Sequence, residues 1–146
     1  MTHKRQLIRE RAATVLTGLA TTGSNVFQSK IHRLSDDELP ALNVFTGPEE
    51  LIDESLSKGL SGIVQCALSI QVFVKQNNTY DDVLDDVLEE IQAAMRSERT
   101  TGGVGSLPEI TNVFFYSGLE DVDYDDGETD AGSQTINYIV QYEQDL

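Results

Sequence analysis

Gly62-Ile-Val-Gln-Cys-Ala-Leu-Ser-Ile-Gln-Val-Phe-Val-Lys75 is the stretch to which the rest of the chain has to conform. From Val64 through Cys66, Leu68, Ile70 and Val72 to Val74 every second side chain is apolar, and Gln65, Ala67, Ser69, Gln71, Phe73 and Lys75 stand between them. A period of two marks a strand with one face against a core. Unbroken, it would run for about 45 Å, well beyond the usual five or six residues. That length predicts that one end bends or projects past the sheet, open to a partner. Cys66 falls in the apolar row. As the only cysteine it cannot close an internal disulfide, and it reads as a small core residue.

After this strand, Gln76-Asn-Asn-Thr79 is turn chemistry, with Thr79 a candidate N-cap and Asp81 and Asp82 placed where a helix N-terminus favours anions. Val83, Leu84, Val87, Leu88, Ile91 and Met95 then recur at helical spacing, with Asp85, Asp86, Glu89 and Glu90 on the opposite face. Carboxylates four residues apart without a histidine or cysteine read as a solvated face. The glycine cluster Thr100-Thr-Gly-Gly-Val-Gly-Ser106 follows a helix and lacks the Lys-Ser/Thr of a phosphate loop, so it reads as a connector. Ile110–Ser117 and Gln134–Tyr142 read as two further strands, each antiparallel to a neighbour.

Between them lies Glu120-Asp-Val-Asp-Tyr-Asp-Asp-Gly-Glu-Thr-Asp130. Counted from Asp121 as a calcium loop, Asp123 and Asp125 fall correctly, but position six is Asp126 and position twelve is Gly132. An acidic hairpin tip around Asp126-Gly127 is the better reading, with weak cation binding left open.

Upstream, Leu7, Ile8, Ala12, Val15, Leu16 and Leu19 give an amphipathic helix, closed by Thr21-Thr-Gly23, whose other surface carries Lys4, Arg5, Arg9 and Arg11. Four cations without interleaved aromatics are poor material for reading DNA. Asn25–His32 and Ala41–Gly47 read as strands, with Pro40 at the start of the second. Pro48–Lys58 has a proline followed by acids, which suits either a short helix or a mobile arm.

The chain has 146 residues, 39% of them hydrophobic, without a break in composition, which predicts one domain with one core. Arg9, Glu10 and Arg11 interrupt the apolar run that a secretion signal needs, and no segment approaches a membrane span. The expectation is a soluble protein. Its net charge of −15 is unevenly placed: residues 1–75 carry eight Lys/Arg and eight Asp/Glu, residues 76–146 two against seventeen. A subunit with one basic and one acidic region suits head-to-tail contact with its own copies, but acids that simply keep the protein soluble are the favoured reading of the charge alone. No Gly-x-Ser-x-Gly, Cys-x-x-Cys or histidine pair suggests catalysis, a cofactor or a metal.

The order helix, strand, strand, long strand, acidic helix, strand, strand is joined to particular residues. They are Lys4-Arg-Gln-Leu-Ile-Arg-Glu10, Leu16-Thr-Gly-Leu-Ala-Thr-Thr-Gly23, Asn25-Val-Phe-Gln-Ser-Lys30, Leu39-Pro-Ala-Leu-Asn-Val-Phe45, Leu84-Asp-Asp-Val-Leu-Glu-Glu-Ile91 and Tyr138-Ile-Val-Gln-Tyr142. In these the chain resembles the tail terminator proteins of long-tailed bacteriophages, the group of minor tail protein U. The resemblance implies an α/β (α+β) subunit with a mixed, mainly antiparallel sheet and two main helices. It also implies a homohexameric ring in the virion, assembled in the host cytoplasm without cofactor or membrane. Such a ring caps the tail tube protein, stops tube growth and meets the head-completion protein of the neck. DNA passes through it without sequence-specific binding. In a ring, Gln65, Ala67, Ser69, Gln71 and Phe73 become candidates for subunit or tube contact, and Arg9 and Arg11 for pairing with acids of the neighbouring copy. Asp85, Asp86, Glu89, Asp123, Asp125 and Asp126 become candidates for an acidic surface or lumen. A head–tail connector or stopper, or a non-viral tube-associated domain, shares these features.

Overall fold

A computed structural model describes residues 3–28, 38–53, 61–75, 80–101, 113–124 and 131–145. The elements in chain order are α1 (Lys4–Leu16), β1 (Val26–Gln28), β2 (Ala41–Thr46), β3 (Glu50–Asp53), β4 (Ser61–Lys75), α2 (Tyr80–Thr101), β5 (Val113–Leu119), β6 (Asp123–Tyr124) and β7 (Ala131–Asp145). The long strand is continuous, and no end of it projects. β7 pairs with it antiparallel along its whole length, from Ser61 opposite Asp145 to Lys75 opposite Ala131. The expected overhang is cancelled because β7 is itself longer than its apolar core, Gln134–Tyr142, suggests.

The sheet runs β1-β2-β4-β7-β5, with β3 also on β4 and β6 also on β7. Only β1 and β2 are parallel; the other pairs are antiparallel. Since β7 fills one edge of β4, both β2 and β3 pair with the other, β2 at residues 68–73 and β3 at 63–65. Glu50–Asp53 is therefore a strand, not the start of a helix: pairing with β4 overrides the helix-start signal of Pro48 and the acids. Residues 54–58 of that segment lie outside the described residues.

Both helices pack on one face of the sheet, giving a single α+β domain of two layers. The even-numbered row of β4 is buried against them, and opposite it Ile136, Tyr138, Val140 and Tyr142 of β7 and Leu42 and Val44 of β2 join one cluster. α2 contributes Leu84, Val87, Leu88, Ile91 and Met95, and α1 contributes Ile8, Ala12, Ala13 and Leu16. Asp85, Asp86 and Glu89 are exposed, as the helical spacing requires. The N-cap expected at Thr79 lies outside the described residues.

α1 starts on His3, whose Nδ1 accepts from Arg5 N at 3.1 Å. It ends at Leu16, before the expected closure at residues 21–23, because Gly18 takes a φ of +94°, a left-handed conformation that terminates helices. Glu90 then ties this turn to α2: its carboxylate accepts from Thr21 N at 2.9 Å and from the Thr21 hydroxyl. It is a clamp between two elements, not part of the solvated face to which its spacing assigns it.

Candidate functional site

The second face of the sheet carries the odd-numbered row of β4. Gln65, Ala67, Gln71 and Phe73 are half-buried and Ser69 is buried, so the row is not a freely solvated surface. Its polar members bond to β7: Gln141 Nε2 donates to Gln65 Oε1 at 3.1 Å, the Ser69 hydroxyl to Asn137 Oδ1 at 2.7 Å, and Gln71 Nε2 to Ser133 Oγ at 3.3 Å. The ladder continues outward, since Asn137 Nδ2 donates to Glu120 Oε2 at 2.9 Å, and from the helix-bearing face Gln134 Nε2 donates to the Glu120 carbonyl at 3.0 Å. Cross-strand amide and hydroxyl pairs of this kind fix the register of two long strands whose apolar row alone would tolerate a slip of two.

The basic side of α1 turns toward its own sheet. Lys4 Nζ donates to the Glu143 carbonyl, Arg5 Nη1 to the Gly47 carbonyl at 3.2 Å, and Arg9 Nη1 to Thr46 Oγ1 at 3.2 Å. Arg11 is half-buried beside them in sequence. Asp85, Asp86 and Glu89 stand exposed on α2, while Asp125 and Asp126 lie outside the described residues, as does the rest of 125–130. Asp123 opposite Ser133 and Tyr124 opposite Gly132 are the pairs of a hairpin leading to that tip.

Beneath the sheet, Tyr142 is fully buried and donates its hydroxyl to Glu49 Oε1, which also takes His3 Nε2 at 3.1 Å. Tyr142 is hydrogen-bonded in turn to Cys66. Burial first, and then the bond to Glu49, push the Tyr142 phenol far above its ordinary range. Burial pushes the Cys66 thiol up as well. A thiol held protonated and out of solvent is the reverse of an activated nucleophile.

Apolar exposure is concentrated elsewhere. Among the described residues the large exposed apolar side chains are Leu51, Ile52, Tyr116 and Leu119, each 44–48% accessible. The first two are on β3 and the others on β5, which border the sheet on opposite sides. Sequence reasoning missed this set, because Leu51 and Ile52 sat in a segment read as helix or arm. Their signal is an adjacent apolar pair among acids, which is ambiguous in period. Beside Tyr116 a cavity of about 310 Å³ is lined by Gln92, Met95, Arg96, Tyr116 and Tyr138. Its two tyrosine rings meet edge to face, with centroids 5.8 Å apart.

Among the described residues no helix is long and apolar enough to cross a membrane. The chain matches no protein-family model and no curated protein sequence.

Proposed function

We propose that the protein is a structural virion subunit, a tail terminator whose copies join head to tail in a hexameric ring. The ring caps the tail tube, stops its polymerisation and gives the neck proteins their attachment surface, with DNA passing through the lumen. The observation that carries this reading is the division of the exposed large apolar side chains between the two opposite borders of one sheet. A two-fold dimer buries one patch twice; a head-to-tail ring buries both patches in every copy. The fold supports the reading as well, because it has the order of elements on which the resemblance to tail terminators rests, with two further short strands at residues 50–53 and 123–124. Exposed Asp85, Asp86 and Glu89 suit a conduit wall, since carboxylates repel phosphate and let DNA pass.

In the virus that carries this gene, its deletion is expected to leave tails of uncontrolled length, visible by electron microscopy. Tails of normal length without heads would instead favour a connector or stopper of the neck.

A further inference from the structure

Strand registers say more about the two borders than exposure alone. Leu51 lies opposite Val64, Tyr116 opposite Tyr138 and Leu119 opposite Ile136. Val64, Tyr138 and Ile136 are core residues on the helix-bearing face. Directly paired residues share a face, so Leu51, Tyr116 and Leu119 all point to the helix side, where each stays 44% accessible, Tyr116 across a cavity from Gln92, Met95 and Arg96 of α2. Each border is an unfinished edge of the same core.

β3 and β5 also each carry an irregularity. The register of β3 shifts between Leu51 and Asp53, leaving Ile52 as the extra residue, and that of β5 shifts between Tyr116 and Gly118, leaving Ser117. A bulge interrupts the ladder and twists an edge away from continuous strand addition. The borders are therefore suited to side-chain packing of fixed geometry and ill suited to open-ended extension of the sheet.

We infer that the Leu51–Ile52 border of one copy packs against the Tyr116–Leu119 border of the next, with an aliphatic side chain of β3 entering the cavity between Tyr116, Tyr138 and Met95. This rests on the ring reading above and names the contact that closes it. The occupant is a second copy because each border is what the other lacks: two protruding aliphatic side chains on one, an aromatic-walled recess on the other. At about 310 Å³ the recess is ample, since a cavity of roughly half that size accepts a benzene-sized group. Charge agrees in sign, with Glu50 exposed beside Leu51 and Arg96 on the recess wall. Through β4 and β7 the level of Leu51 corresponds to Val64 and that of Tyr116 to Leu68. Neighbours thus meet with a stagger of four residues, about 13 Å, and the strands run oblique to the ring axis.

Cysteine cross-linking tests the contact, because the native Cys66 is buried and out of reach of a bismaleimide. Glu50→Cys and Ser117→Cys variants, at exposed neighbours that leave Leu51, Ile52 and Tyr116 in place, are made separately and also co-expressed, then treated with a short bismaleimide. A covalent dimer from the co-expressed pair and none from either variant alone is the expected result. Dimers from a single variant alone would mean like borders meet, and would overturn the inference. A native oligomer by light scattering with no cross-link in any sample would overturn it too while leaving the ring standing on other contacts. A native monomer would remove both.

Discussion

Ile70→Ala is expected to lower the stability of the fold by about 2–5 kcal/mol, whereas Gln71→Ala, the next residue, should cost only about 0.5–1.5 kcal/mol. Ile70 is fully buried, with Val44 of β2 on one side and Ile136 of β7 on the other, both also sealed from solvent. Truncation there removes apolar contacts and leaves a void that two rigid flanking strands cannot close. Gln71 faces the other side of the sheet and has one long hydrogen bond to Ser133 to lose. Urea unfolding should show a large fall in midpoint for the first variant, with its slope unchanged, and a small one for the second. Equal losses would mean that the two faces of β4 are buried alike, against the two-layer arrangement.

The second large effect is alkaline. In the folded chain Tyr142 keeps its proton well past its ordinary value of 10.0, and Cys66 is raised above its ordinary 9.0. Above those values the unfolded chain releases protons that the folded chain holds, so the unfolded state binds fewer and stability falls as pH rises. Above pH 10 the Tyr142 phenol contributes a slope approaching about 1.4 kcal/mol per pH unit, and the Cys66 thiol adds to it in the same direction. The stabilisation is whole below pH 9, declines through Cys66 first and steepens past pH 10. Tyr142→Phe should make the decline above pH 10 shallower in urea titrations at stepped pH, leaving the part due to Cys66. A decline no less steep in that variant would show that the phenol is not held protonated by its buried place beside Glu49.

Most of the architecture could be read from periodicity. The alternation from Val64 to Val74 named the buried row correctly, and the spacing from Val83 to Met95 named the buried stripe of α2, because in both the apolar period matches the backbone period. What stayed hidden depends on partners distant in sequence. Nothing local says that β7 would match β4 residue for residue, so an overhang was expected where none exists. The strand at residues 50–53 forms because β4 supplies its backbone partners, and Pro48 with Glu49 and Glu50 argued for a helix instead. Glu90 looked like one more solvated carboxylate until the turn after α1 brought Thr21 to it. The borders of the sheet were the least legible part of the site, since which strand lies outermost is a property of topology, and topology alone turns Leu51 and Tyr116 into edges.

The assembly state is the claim on which the functional reading depends, and light scattering coupled to size exclusion measures it directly on the native chain. The expected mass is about 97 kDa, six times the 16.1 kDa of one copy. A particle of 16.1 kDa at the highest soluble concentration would contradict the ring and the terminator role with it.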